Sequence, residues 1–339
     1  MSYAIQAQVL SNRHALAACL LATLVAGGCN SSGKLLKIDE ETLNSSLDHL
    51  EQAIPACASA AATAARRDVG AGLGDQIGAL IERIRQADYA ARTQAPAYQL
   101  IAGVGSTGSC GGALNVDYSH ESGVTAYTIG LLDFCMATAD GNLTLNGALN
   151  ATENGKPSDA GPVVSSFVAS TDGPLEITTP TDTISLVLDD ARTEYGLPAA
   201  WTPGVPDADH PDVSTVKSLT ATFADGREDF VDNLRVERVG TPSAVTVTEG
   251  DLGTRGEGYV RIRTADGEPL IVQALTPQSG ALELQGAGDT VLTVRPVGAQ
   301  MVFTLELDGA AFPRGVDCAA MDGLKAEALT AFLMALPLF

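Results

Sequence analysis

The strongest constraint on this chain is its hydrophobic period. From Ala113 to Leu307 apolar residues recur at every second position, in runs rich in β-branched side chains. Period two sends alternate side chains to opposite faces of an extended backbone, so these runs read as half-buried strands. Toward the C-terminal end the strands are Val245–Thr248, Tyr259–Thr264, Leu270–Ala274, Ala281–Gln285, Val291–Val297 and Met301–Leu307. Asp-Gly stands at 140–141, 172–173, 225–226 and 266–267. Its readiness to adopt positive φ makes it a strong hairpin signal, so four copies predict antiparallel strands joined in sequence. The four are unequally spaced and read as recurring turn chemistry rather than as internal repeats. Roughly a dozen strands exceed what one flat sheet holds without curling or splitting. The expected fold class is mainly β (α+β): an antiparallel meander forming a curled sheet, a half-barrel or two packed sheets, with helices at both ends.

The helices come from a different period. Asp39 can cap a helix on which Leu43, Leu47, Leu50, Ile54 and Cys57 share one face. After glycines at 70, 72 and 74, a second helix carries Leu73, Ile77, Leu80, Ile81 and Ile84 on one stripe, and Pro96 limits it. Arg192–Val213 holds Pro198, Pro203, Pro206 and Pro211, which a regular ladder does not tolerate, so it reads as a surface loop or domain junction. Past Gly309 the chain reads as irregular until Asp322. There a last helix begins, with Leu324, Ala328, Phe332 and Leu336 on one side. It reads as closing an open end of the β-domain, with a membrane or partner helix as the alternative that apolar Ala331–Phe339 keeps open.

The first thirty residues carry an address. Arg13 and His14 precede an apolar run, Ala15–Ala26, that contains Cys19 as one more small hydrophobe. Twelve helical residues rise only ~18 Å, too short for a ~30 Å hydrocarbon layer, so the run reads as a signal-peptide core. It ends Leu24-Val25-Ala26-Gly27-Gly28-Cys29. This stretch resembles the lipobox of bacterial lipoproteins, with Ala26 where that family prefers Leu. Residues 108–112 (Gly-Ser-Cys-Gly-Gly) with the later Phe134-Cys135 also loosely resemble uncharacterised proteobacterial lipoproteins, a likeness that brings no activity with it. The lipobox resemblance implies cleavage before Cys29 and acylation of its thiol, palmitate included. Asn30, by the same resemblance, implies sorting to the outer membrane, with a domain tethered through Asn30-Ser31-Ser32-Gly33 on its periplasmic or surface-facing side. More than one acyl chain anchors stably.

Charge removes whole classes of partner. Lys and Arg total 20 against 41 Asp and Glu, for a formal charge of −21. Nucleic-acid binding requires a basic face, so no nucleic-acid partner is expected. The membrane is reached through the N-terminal lipid and not by electrostatics.

Four further cysteines in an exported chain suggest two disulfides. A two-residue turn at Ser122-Gly123 places Cys110 opposite Cys135 across an antiparallel ladder, unless a bulge at Gly111-Gly112 shifts the register. By elimination Cys57 pairs with Cys318. No close Cys/His pair of the zinc type occurs.

Catalytic machinery is hard to find. His49 falls on an exposed helical face, His120 in a hairpin turn and His210 in the proline-rich loop. Gly103–Gly108 lacks the Lys and following helix of a phosphate loop, and the disulfide explains Cys110 in Gly108–Gly112 better than a nucleophile loop does. Asp207, Asp209 and Asp212 alternate in Asp207-Ala208-Asp209-His210-Pro211-Asp212, as carboxylates do in calcium loops, although the twelve-residue pattern is absent. They are the candidate Ca2+ ligands; a solvated acidic loop is the plainer account. No other cofactor is indicated.

The expected organisation is a signal peptide (1–28), a tether (29–38), a helical segment (39–96), a β-region with the Cys110–Cys135 hairpin (97–191), the proline-rich loop (192–213), a β-meander (214–309) and a C-terminal segment with a helix (310–339). The expected function is a lipid-anchored cell-envelope protein with a non-catalytic binding or structural role, for an apolar ligand or an envelope protein partner. A surface protein–protein interaction module and an envelope hydrolase are the alternatives.

Overall fold

The computed structural model describes residues 104–317, interrupted at 122–123, 139–140, 159–160, 179, 181–182, 197–206, 241, 257, 274–275, 289, 298–299 and 308–309, together with Leu80, Ile81, Arg83 and Ile84. It is an antiparallel sheet of seventeen strands. They are β1 Val104–Gly108, β2 Gly111–Glu121, β3 Val124–Thr138, β4 Gly141–Ser158, β5 Gly161–Thr171, β6 Leu175–Thr178, β7 Thr183–Glu194, β8 Asp212–Phe223 and β9 Glu228–Val239. The rest are β10 Ser243–Thr254, β11 Gly258–Thr264, β12 Leu270–Gln273, β13 Thr276–Ser279, β14 Leu282–Gln285, β15 Val291–Val297, β16 Gln300–Leu307 and β17 Ala310–Asp317.

The strands follow one another as a meander with a simple complication. β5 and β6 lie end to end beside β4, and β7 pairs with both. β11 and β12 likewise lie end to end beside β10, followed by β14 and β13. Seventeen strands therefore occupy fourteen ladder positions. Two of the four Asp-Gly pairs are not hairpins at all. Asp140-Gly141 and Asp225-Gly226 do join hairpin strands, with Thr138 opposite Gly141 and Thr222 opposite Glu228. Asp172-Gly173 and Asp266-Gly267 instead interrupt a continuing strand, between β5 and β6 and between β11 and β12. Positive φ at Gly173 and Gly267 serves a bend equally well as a turn.

These interruptions belong to a line of irregularities that crosses the sheet. The β2–β3 ladder shifts between Gly111 and Ala113, and the β3–β4 ladder between Leu131 and Phe134, around Asp133 at φ 47°. A Cβ on Gly112 would collide with the Asp133 backbone, so only glycine fits there. The regular pairing of β7 with β8 skips Asp190 (φ 49°) and Lys217, that of β8 with β9 skips Lys217 and Asn233 (φ 55°), and β9–β10 shifts twice beside Gly250. Each extra residue moves the buried positions by one. On β3 the buried residues are Tyr127, Ile129 and Leu131 before the bulge, then Phe134 and Met136 after it. On β7 they are Leu186 and Leu188, then Ala191 and Thr193; on β8, Ser214 and Val216, then Leu219 and Ala221. Bulges bend a strand and strengthen its twist, and aligned bulges bend the whole sheet along a transverse crease.

One face of the bent sheet is apolar and buried, the other polar. Outward-facing residues include Asn115, Asp117, Thr128, Asn150, Thr152, Lys217, Arg261 and Arg263. A transmembrane barrel has the reverse polarity, apolar outside and polar inside. Inside, one cluster runs from Leu114 on β2 to Leu292 on β15 and includes Leu80, Ile81 and Ile84. These last three are helical and 1–2% exposed, whereas Arg83 beside them is exposed. Leu80, Ile81 and Ile84 of the stripe expected for the second N-terminal helix thus contribute to the core, while Leu73 and Ile77 lie outside the described residues. Burying residues of this size is worth ~1.5–3 kcal/mol each.

Several sequence expectations need correction. The segment after Gly309 is not irregular: β17 pairs with β16 from Leu307↔Ala310 to Gln300↔Asp317. Its Pro313 and Gly315 hid it, although proline is compatible with a strand where its missing N–H faces away from the ladder. The proline-rich insert is shorter than 192–213, because Arg192, Thr193 and Glu194 end β7 while Asp212 and Val213 begin β8. His120 lies on β2 and not in the turn. The leader, Cys29, the helical segment apart from the four residues named, Cys57, Cys318, His49 and the C-terminal helix lie outside the described residues.

Candidate functional site

The hairpin register that opposes Cys110 and Cys135 holds through most of the ladder, from Glu121↔Val124 to Ala113↔Leu132. The bulge at Gly111-Gly112 then moves Gly111 opposite Cys135. Cys110 occupies the β1–β2 turn, donates its N–H to the Cys135 carbonyl at 3.2 Å, and is disulfide-bonded to Cys135 with Cα atoms 5.1 Å apart. Ser109 Oγ in the same turn accepts the Ala137 N–H at 2.8 Å. This turn is therefore stapled to β3 twice, and that is a structural role for Gly108–Gly112.

Polar side chains interrupt the apolar inner face at one end of the strands. Cross-strand register places His120, Thr125, Glu153, Phe167, Thr193, Ser214 and Val236 side by side on β2, β3, β4, β5, β7, β8 and β9. Direct neighbours in such a row have Cβ atoms about 4.5–5.5 Å apart. His120 Nδ1 lies 3.0 Å from Thr125 Oγ1, Tyr127 donates its hydroxyl to Glu153 at 3.3 Å, and Thr193 and Ser214 hydroxyls are 3.1 Å apart. Glu153 is 4% exposed and Thr193 3%. Burial at that depth requires partners, since an unpaired buried carboxylate costs several kcal/mol.

One step further toward the strand ends, Asp212 and Arg238 face each other across β8 and β9 and form a buried ion pair through Arg238 Nη2. The other carboxylate oxygen of Asp212 accepts the Gly196 N–H at 2.9 Å. Asp212 thereby ties the base of the 195–211 loop to the sheet. Tyr195 packs against the apolar cluster and donates its N–H to the Ser165 carbonyl at 2.9 Å. A Cβ on Gly196 would strike the His210 carbonyl, so the two stems of the loop touch there.

The three aspartates of the proposed calcium loop do different work. Asp207 Oδ1 accepts N–H groups from Asp209 at 3.0 Å and His210 at 2.8 Å, with His210 Nδ1 at 3.2 Å. The His210 backbone donor is the main reason its carboxyl titrates below the usual aspartate range. Asp212 points instead to Arg238. Among the described residues, no three His, Cys, Asp or Glu side chains converge as a metal-binding group.

Sequence reading missed Glu153 and Arg238. The signal was present: each is a charged residue in phase with buried apolar ones, Leu149 and Ala151 before Glu153, and Leu234 and Val236 before Arg238. Together the row and the ion pair form a hydrogen-bonded rim where the apolar interior meets the long loop. It brings an imidazole, two carboxylates and a guanidinium to one end of the inner face, His120 bonded to the Thr125 hydroxyl, Glu153 to the Tyr127 hydroxyl, and Asp212 to Arg238 and the Gly196 N–H. No protein-family model matches the chain, and neither the curated proteins nor the solved structures give a match.

Proposed function

We propose that this chain is a lipid-anchored protein of the bacterial envelope with a non-catalytic binding role, its ligand being apolar. The observation that carries the reading is the polarity of the sheet, a water-facing outer surface around an apolar interior that ends in a polar rim. Such a shell suits an aqueous compartment, and a cysteine cross-link between β1–β2 and β3 suits an oxidising one. The leader and Cys29 add the address, and acyl chains at Cys29 would hold the domain at the outer membrane. In the rim, His120 bonds to Thr125 and Glu153 accepts from Tyr127, which ties both side chains into the wall of the apolar interior.

Two measurements test it. Cys29→Ala should abolish acyl labelling and release the chain to the soluble periplasm; continued membrane retention sinks the anchor. The lipid-free domain, purified from periplasm and sprayed under native conditions, should carry a co-purified apolar molecule. A ligand-free mass, unaltered when lipid extracts are added, sinks the binding role.

A further inference from the structure

We infer that Asn142 is an acceptor for an N-linked oligosaccharide, an inference that rests on export of the chain. Asn142-Leu143-Thr144 is an Asn-x-Thr sequence at the start of β4. Strand geometry places residues two apart on one face, so the Thr144 hydroxyl stands beside the Asn142 carboxamide while Leu143, 6% exposed, points into the core. That hydroxyl two positions on is the group a transfer enzyme requires beside its acceptor amide. Asn142 is exposed, and sits one residue past Gly141, where the β3–β4 hairpin begins. Its cross-strand neighbour is Ala137, whose methyl offers it no hydrogen bond.

The same strand carries an internal control. Asn150-Ala151-Thr152 has the same spacing and faces the same way, but lies mid-strand between β3 and β5. Its carboxamide oxygen already accepts the Thr128 hydroxyl at 3.3 Å. In sequence, an acidic residue, Asp140, stands two before Asn142, where bacterial transfer enzymes read one; Ala148 holds that place for Asn150. A glycan on Asn142 would project from the polar face, where it displaces no buried contact.

The donor is an oligosaccharide linked to a polyprenyl diphosphate. The Asn142 carboxamide nitrogen bonds to the anomeric carbon of the first sugar and loses one proton. The bond from that carbon to the diphosphate oxygen breaks, and polyprenyl diphosphate leaves with the electron pair. Nothing is oxidised or reduced.

The test is peptide and intact mass spectrometry of the full-length protein from the envelope of the cells that make it. The expected result is an oligosaccharide mass on the peptide containing Asn142, lost in Asn142→Gln and Thr144→Val, kept in Thr144→Ser and Asn150→Gln. The Thr144 pair separates loss of the acceptor sequence from misfolding. An acylated chain with a bare Asn142, or a glycan on Asn150 instead, overturns the inference alone. A chain that keeps residues 1–28 and an unacylated Cys29 overturns both it and the exported reading.

Discussion

The two parts of the sheet share one core but hold their outer faces together by different chemistry. Residues 104–178 contain one lysine and no arginine, whereas residues 183–317 contain nine arginines and Lys217. In the first part, cross-strand bonds on the outer face are neutral or amide-based: Thr128 to Asn150, Asn154 to Ser166, and Asn146 to Asp133. In the second they are ionic: Lys217 with Asp189 at 2.6 Å, Arg255 with Asp232 at 3.3 Å, Arg263 with Glu283 at 2.8 Å, and Arg295 with Glu268. Arg227 and Arg255 add stacking on Phe223 and Phe230, each 4.2 Å from the ring centre. Inner-face burial is alike in both, so the lesson is that burial specifies the ladder while the outer face is free to use either chemistry.

The largest expected effects probe what the parts share. Phe134→Ala in the first part and Leu252→Ala in the second, both fully buried, should each lower stability by ~2–5 kcal/mol in denaturant unfolding. Two separate transitions, each moved by only one variant, would break the idea of a common core. Asp212→Ala should cost ~3–5 kcal/mol, because it strands a buried guanidinium. Asp212→Ala combined with Arg238→Met should recover most of that loss, and no recovery would refute the pairing.

Next come effects confined to one part. Replacing Cys110 and Cys135 together by alanine should cost ~2–4 kcal/mol and raise amide exchange in β1–β3 before β9–β11. Raising salt to about 1 M should loosen amides of β9, β11 and β14 by under ~1 kcal/mol and leave β3–β5 unchanged, since surface ion pairs are weak and screened. Equal salt response in both parts would erase the contrast.

The smallest effect is a pH dependence. Burial pushes the Asp251 carboxyl above the ordinary aspartate range, against the pull of Arg261. An acid whose folded pKa is raised binds its proton more tightly when folded, so its contribution falls as pH rises from the unfolded toward the folded value. Asp251→Asn should therefore raise the melting temperature slightly at neutral pH and flatten that part of the curve; a lowered melting temperature would refute the sign. Glu268 runs the other way. Arg295 holds its carboxyl below the usual range, so its contribution is present above the unfolded value and lost as pH falls through the folded one.

What the sequence disclosed follows from how local each signal is. The six C-terminal strands were legible because each alternates over at least four residues. β13 (Thr-Pro-Gln-Ser) and β17, with its proline and glycine, have no such alternation, and only pairing with β12 and β16 makes them strands. Asp172-Gly173 and Asp266-Gly267 misled because the dipeptide reports a local conformation, and the long-range ladder decides whether the chain reverses there. At the rim, Asp212 was noticed as a carboxylate among carboxylates. Its real partner, Arg238, lies across a strand pair that spacing along the chain does not reveal.

The crease has a consequence for how reliably this chain finds its pairing. A plain strand can slip two residues past its neighbour and still present the right face. Here a slip of any size sets an extra residue against unbroken backbone on the next strand, leaving Asp133, Asp190 or Asn233 in its left-handed conformation without the matching irregularity. The bulges thus work as notches that align the strands from β2 to β10, and a single-residue deletion at Asp190 would turn the rest of β7 inside out.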